Sequence, residues 1–252
     1  MSLEFVTLAE RPDLVDAMWS MHNPWPAFML HDPVSNALWG RLPETFPACQ
    51  LLAVDDDGEI VAKLHAVPFA WAGTDEDLPE HGLDAIITRA FDEHARGTRP
   101  RALSLLEARI VPAHRGGGLS YRLLEAGRAT AVLLGLHDVF APVRPTGKSA
   151  EPGTPMDEYA ARVREDGLPA DPWLRAHVRL GARIVKVCPL SMVIPGTLGE
   201  WRDWTGLELA ASGSHDVQGA LAPIHVSVEH DHGLYAEPNV WMHHALSANA
   251  PA

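Results

Sequence analysis

Apolar positions along this chain recur with two periods, one helical and one extended, and the segments alternate in kind. Glu4 to Leu8 reads as a short first strand. Pro12 to Met21 has the spacing of a short helix, with Leu14, Met18 and Met21 on one stripe and Pro12 suited to its first turn. Asn23-Pro24-Trp25-Pro26 breaks the chain, and Ser35 to Leu42 reads as a second short helix behind Pro33. Cys49 to Val54 and Ile60 to Trp71 are apolar runs flanking Asp55-Asp56-Asp57-Gly58, the signature of an antiparallel hairpin. An acidic loop from Gly73 to Gly82 precedes a helical pattern over Asp84 to His94. Ala102 to Val111 is a strand. Gly118 to Leu134 is a long helix with Leu119, Leu123, Ala126, Thr130 and Leu133 on one face. Gly127 inside it costs ~1 kcal/mol against alanine, which close packing on a sheet would explain. His137 to Val143 is the next strand. A Pro- and Gly-rich loop, 144–171, holds one short helix over Met156 to Val163, and a helix over Trp173 to Leu180 stops at Gly181. Strands follow at Arg183 to Val187, Ser191 to Ile194, Ile224 to Val228 and from Tyr235 onward. This order predicts an α/β layering: a mixed sheet with helices on both faces.

The bulk numbers narrow the functional classes. The 252 residues allow one large domain or a domain with an extension, and 46% apolar residues can fill a core. No run of about 18 uncharged apolar residues is present, so no membrane span is expected. Met-Ser-Leu-Glu-Phe-Val has neither a basic region nor an apolar signal core, and the two cysteines, Cys49 and Cys188, form no C-x-x-C pair; a reduced, cytoplasmic protein is expected. The net charge of −13 disfavours nucleic acid and anionic membrane as partners. Residues 101–148 run against that balance, with seven basic groups and three acidic ones.

That basic island surrounds the most informative stretch of the chain. A strand ends in Ile110-Val111-Pro112, then comes Arg115-Gly116-Gly117-Gly118-Leu119-Ser120, then the long helix. The first N–H groups of a helix lack partners within it, and with the helix dipole they form an anion site. Glycines let a ligand approach the main chain. The dinucleotide pattern G-x-G-x-x-G fails, because Tyr121 stands where its last glycine belongs. Gly147-Lys148-Ser149 ends like a triphosphate-binding loop, but Pro142 occupies its first glycine position. The pattern that fits is R-x-x-G-x-small.

With these residues the chain resembles the GNAT superfamily, the Gcn5-related N-acetyltransferases. Val111-Pro112-Ala113-His114-Arg115-Gly116-Gly117-Gly118-Leu119-Ser120 is similar to that family's acetyl-CoA pyrophosphate loop, with Ser120 where Gly or Ala is usual. Ala176-His177-Val178-Arg179-Leu180-Gly181-Ala182 resembles its Leu-Tyr-Glu-Lys-Leu-Gly-Phe helix end, with His177 replacing the tyrosine and Ala182 the phenylalanine. The likeness covers roughly residues 50–190. It implies a GNAT-like acyltransferase fold with a splayed central sheet, acetyl-CoA or another acyl-CoA as co-substrate, and a small-molecule amine as acceptor. The expected domain spans 1–195, including acceptor-side helices near the N-terminus, and 196–252 is a strand-rich extension packed on it.

The implied chemistry makes three demands. The N–H groups of Arg115, Gly116, Gly117, Gly118, Leu119 and Ser120 would hold the pyrophosphate. Backbone groups of Arg109, Ile110 and Val111 would align the pantetheine arm. A base must take a proton from the amine and an acid must give one to the thiolate. Glu107 lies in an otherwise apolar strand, where burial without a partner is costly and would raise its pKa. It is a candidate base; equally, it is placed to pair with Arg109, two residues on and on the same strand face. His177 is the candidate acid, against the plainer reading of a core histidine. Trp19, Trp25, Phe28, Met29 and Trp39 either line an acceptor pocket or fill the core. The 14 histidines, including His230, His232, His243 and His244, show no ligand spacing, so no metal is expected. The resulting expectation is acyl transfer to an amine by direct attack in a ternary complex. The alternatives are a non-catalytic CoA-binding domain, O-acylation or acyl-thioester decarboxylation. A homodimer is compatible with each.

Overall fold

The computed structural model of the protein describes residues 3–246. Its elements are β1 (Leu3–Thr7), α1 (Val15–Ser20), α2 (Pro33–Leu38), α3 (Leu42–Thr45), β2 (Gln50–Asp55), β3 (Ile60–Phe69), α4 (Gly82–Ala95), β4 (Ala102–Ile110), α5 (Leu119–Leu133), β5 (Asp138–Val143), α6 (Met156–Ala160), α7 (Pro172–Arg179), β6 (Arg183–Gly196), α8 (Leu198–Thr205), β7 (Gly213–His215), β8 (Ile224–Ser227) and β9 (His232–Ala245). The strands form one sheet in the order β1-β2-β3-β4-β5-β9-β8-β7, with β6 paired to β9. Only β4 and β5 run parallel; every other pair is antiparallel.

The parallel pair is short. Ala102, Leu103 and Ser104 face Asp138, Val139 and Phe140. Beyond Ser104, β4 continues to Ile110 bound to β3 alone, while Ala141–Val143 pair with β9. The sheet therefore splits between its two central strands. A bulge lies at the mouth of this split: the register shifts so that His65 faces Glu107 and Ala66 faces Leu105, leaving Leu106 without a partner. The extra residue reverses the alternation. Leu105 points to the face covered by α5, whereas Glu107 points to the opposite face, beside His65. A carboxylate that would fall on the α5 side in a regular strand is thus turned towards the N-terminal segment.

Helices cover both faces. Gly127 marks the closest approach of α5: a Cβ there would stand 3.2 Å from Leu64 Cδ1 and 3.5 Å from Leu105 Cδ2. On the other face, Trp19 stacks on His65 at 5.6 Å between centroids, and Trp39 meets it edge-on at 5.4 Å. The main core fills the space around β3, β4, β5, α4 and α5, and a second cluster gathers Phe28, Ile194, Trp201 and Tyr235 under α8.

Three elements differ from expectation. The two strands expected over 183–194 are one strand, β6, with an irregular register between Cys188 and Met192. Helix α8 was hidden, although Thr197 and Glu200 form a full capping box at its start. The segment 196–252 does more than add strands: β9 lies inside the sheet, bound to β5 along one edge and β6 along the other. Its last six residues, 247–252, lie outside the described residues.

Candidate functional site

The split between β4 and β5 opens into a cleft of about 810 Å³. One end lies against the turn after β4. Gly116 and Gly118 have φ of 87° and 77°, values that favour glycine, and Gly118 is the residue before α5. The N–H groups of Arg115, Tyr121 and Arg122 are bonded to the carbonyls of Pro112, Gly118 and Gly118. Among the described residues, Gly116, Gly117, Gly118, Leu119 and Ser120 donate to no backbone carbonyl outside regular structure, which leaves five amides at a helix N-terminus. Arg115 therefore drops out of the expected amide set; its side chain instead turns back, Nε donating to Ile110 O at 3.4 Å. Val111 drops out of the pantetheine set too, because its N–H donates to Val61 O at 2.9 Å and it does not line the cleft. Arg109, Ile110, Arg115, Gly116, Leu119 and Ser120 do line it.

Glu107 lines the cleft, with 4% of its side chain exposed. Its Oε1 accepts from Trp25 Nε1 at 2.6 Å and from Arg109 Nη2 at 2.7 Å. Its Oε2 is 3.8 Å from His65 Nε2 and 3.9 Å from Lys63 Nζ. Burial by itself raises the carboxyl pKa, as the sequence suggested. His65, Arg109, the Trp25 N–H and Lys63 outweigh it, and the group is held below the ordinary glutamate value. Burial drives His65 itself down to about 3, so near neutral pH the acting cations are Arg109 and Lys63. The Lys63 ammonium is held at about 8, by burial first and Arg109 next, against the pull of Glu107. The expected pairing of Glu107 with Arg109 is present, and the same carboxylate faces the cleft as an anion.

His177 reaches the cleft wall from α7. Its Nδ1 is 3.0 Å from His244 Nε2, and its Nε2 has no protein partner. Burial, then His244, push it down to about 3, so it is a neutral imidazole at neutral pH. Helix α7 is set in place by Asp171, whose Oδ1 accepts from Trp173 N and Leu174 N while its Oδ2 accepts from Gly147 N and Tyr159 OH.

The far end of the cleft is built by residues the sequence reading did not single out. Arg144 on the loop after β5 donates through Nε to Glu237 Oε1 and Oε2 at 3.2 and 3.0 Å and through Nη2 to Gly219 O. Its guanidinium carbon lies 5.4 Å from the Trp25 ring centroid. Glu237 also accepts from Tyr235 OH at 2.9 Å and from Asn239 Nδ2 at 3.1 Å. Asn239 Oδ1 accepts from Ser191 Oγ, which accepts in turn from Leu83 N. Of the aromatic stretch, Trp25, Met29 and Trp39 line the cleft, while Phe28 is core. Cys49 and Cys188 are buried and each pushed up to about 12, with no activated thiolate.

No family model matches the chain. The chain is 32% identical to the arginine N-acetyltransferase avaD of Aspergillus versicolor, over 95% of this chain and 93% of that protein. Its fold is similar to the loading GNATL domain of CurA from Lyngbya majuscula, with a TM-score of 0.59 at 18% identity over 97% of this chain and 96% of that one. It is similar also to the GNAT-like decarboxylase GphF, solved with isobutyryl-CoA, with a TM-score of 0.54 at 20% identity over 98% and 100% of the two chains. A glycine turn at the head of α5, a sheet split beside it and a relative of this closeness agree: the chain belongs to the GNAT superfamily of N-acetyltransferases.

Proposed function

We propose that this protein moves an acetyl or other short acyl group from acyl-CoA to a small primary amine, by direct attack in a ternary complex. Arginine, the substrate class in the name of the Aspergillus relative, is the first acceptor to test. The observation that carries the reading is the geometry of the split. Five amides without a backbone partner stand in the turn at the head of α5, three of them (Gly116, Leu119, Ser120) on the cleft wall, and an ionised carboxylate lines the same cleft, aimed away from the α5 face by a bulge.

In this reading the amides of Gly116 to Ser120 bind the diphosphate, and the unpaired edges of β4 and β5 align the arm that carries the thioester. Glu107 takes the proton of the amine as it attacks the thioester carbon. Arg109 and Trp25 hold that carboxylate in place through Oε1. With His244 Nε2–H donating to His177 Nδ1, the neutral His177 offers Nε2–H to the leaving sulfur as a hydrogen bond only; held near 3 it has no imidazolium proton to give, and the proton that Glu107 takes from the amine is the one the thiolate acquires. No covalent acyl-enzyme forms, in keeping with two buried, unactivated cysteines.

The test is thermal stabilisation by acetyl-CoA followed by free-thiol release with arginine and a panel of amines. Glu107→Gln is expected to lower kcat about 100-fold or more while acetyl-CoA still stabilises the fold. Stabilisation without thiol release on any amine would leave a CoA-binding module. Unchanged turnover in Glu107→Gln would remove it as the base.

A further inference from the structure

Arg144 stands out once the charges of the cleft are assigned. Arg109 has both terminal nitrogens committed, Nη2 to Glu107 and Asn23 Oδ1 and Nη1 to the carbonyls of Met21 and His22, and the one donor it leaves without a protein partner, Nε, is buried and cannot offer the paired N–H edge that a carboxylate takes. Arg115 belongs to the glycine turn. Arg144 has committed Nε and Nη2, yet among the described residues Nη1 bonds to no protein atom and is not buried away from the cleft. A directional chain holds it there. Leu83 N–H donates to Ser191, Ser191 to Asn239, Asn239 to Glu237, and Tyr235, itself receiving Leu221 N–H, donates to the other oxygen of Glu237. Ser191, Tyr235, Glu237 and Asn239 are all buried. A network of this kind fixes one guanidinium in one orientation, as binding residues require.

Trp25 links this group to the reacting centre. Its ring face lies against Arg144 and its edge N–H holds Glu107. The acceptor end of the cleft thus presents an anion and a cation on two sides of one indole. An α-amino acid carries the matching pair, an ammonium and a carboxylate on one carbon, and a guanidinium N–H pair suits the carboxylate.

We propose that Arg144 recognises a carboxylate on the amine acceptor through Nη1, so that the enzyme acylates amino acids in preference to the amines that lack this group. The proposal rests on the acyltransferase reading above and names its substrate class.

The test uses the full chain and matched acceptor pairs: arginine and agmatine, ornithine and putrescine, lysine and cadaverine. In thiol-release kinetics the carboxylated member of a reacting pair is expected to have a kcat/KM about 10–100-fold higher. Arg144→Gln brings that ratio to about one, and Arg144→Lys retains part of it. Because Arg144→Gln leaves Glu237 buried without its cation, the double variant Arg144→Gln/Glu237→Gln is measured beside it. It is expected to lose the same preference with a smaller loss of thermal stability. A wild-type ratio near one, or a preference that survives both variants, overturns the proposal. Thiol release from no pair would overturn the acyltransferase reading instead. Calorimetry then decides this proposal separately, with N-acetylarginine and N-acetylagmatine titrated into the CoA-loaded protein: tighter binding of the carboxylated product that depends on Arg144 supports it, and equal affinities overturn it. Arg144-dependent binding of malonyl-CoA in preference to acetyl-CoA would place the carboxylate on the donor and overturn it as well.

Discussion

Replacing Arg109 with glutamine tests the electrostatics of the site most directly. Arg109 Nη2 lies 2.7 Å from Glu107 Oε1, and both side chains are largely buried. One such charge pair at ~4 Å in an effective dielectric of ~20 is worth about 4 kcal/mol. At about 1.4 kcal/mol per pH unit, the ceiling on its effect is ~3 pH units. Removing the guanidinium leaves burial opposed by Lys63 at 3.9 Å and the Trp25 N–H. The Glu107 pKa then rises, because burial is opposed by fewer charges. In the wild type the carboxyl is held below the ordinary glutamate value, so Glu107 is ionised near neutral pH. In Arg109→Gln the acid limb of kcat is expected to move to higher pH than in the wild type. Stability follows with opposite signs. The depressed wild-type carboxyl contributes stability that is present above the unfolded pKa and lost as pH falls through the folded one. Where the substitution lifts the carboxyl above its unfolded value, stability is instead lost as pH rises through the folded pKa. The assay is kcat against pH at saturating acyl-CoA and amine, with thermal melts at each pH. A uniform loss of activity with no shift of the acid limb would refute both the electrostatic account and the assignment of Glu107 as the base.

Other expectations are simpler to check. Gly118→Ala forces a β-carbon into a φ of 77° at the head of α5; a cost of ~1–2 kcal/mol and weaker acetyl-CoA stabilisation are expected, read by thermal shift with and without ligand. Asp171→Ala removes the acceptor for four donors, two at the start of α7 and two from Gly147 and Tyr159, and should lower stability by about 2–4 kcal/mol in denaturant titration. Gly233→Ala would place a Cβ 2.5 Å from Trp201 Cδ1, and a large drop in Tm is expected. An Ellman-type reagent should find no reactive thiol in the native protein at neutral pH and two in denaturant, since Cys49 and Cys188 are buried.

The glycine-turn half of the candidate site is legible in the sequence, because its determinants are local. Glycines at positive φ, a proline after the strand and an apolar stripe all lie within one stretch, and they identified the turn, α5 and the family. The acceptor half was not legible, because its determinants are distant pairings. Arg144 meets Glu237 across 93 residues, and Trp25 meets Glu107 across 82. Lys63 and His65 disappeared inside an apparently apolar run; only the register with β4 shows that they surround Glu107. The bulge at Leu106 has no sequence mark, yet it decides which face the carboxylate takes. The missed helix α8 is a different case, since Thr197 and Glu200 carried a readable capping signal. The two runs expected over 183–194 join into the single strand β6, with Pro189 lying where the register slips.

The place of β9 has a consequence for how the enzyme comes into being. A polypeptide ending before His232 would possess the glycine turn and Glu107 yet lack Glu237 and Asn239, and both β5 and β6 would be left with a bare edge. Synthesis on a ribosome delivers the glycine turn and Glu107 before the strand that closes the sheet beside them. An unfinished chain therefore lacks the carboxylate that orients Arg144, and that wall of the cleft can form only once the last strand is in place.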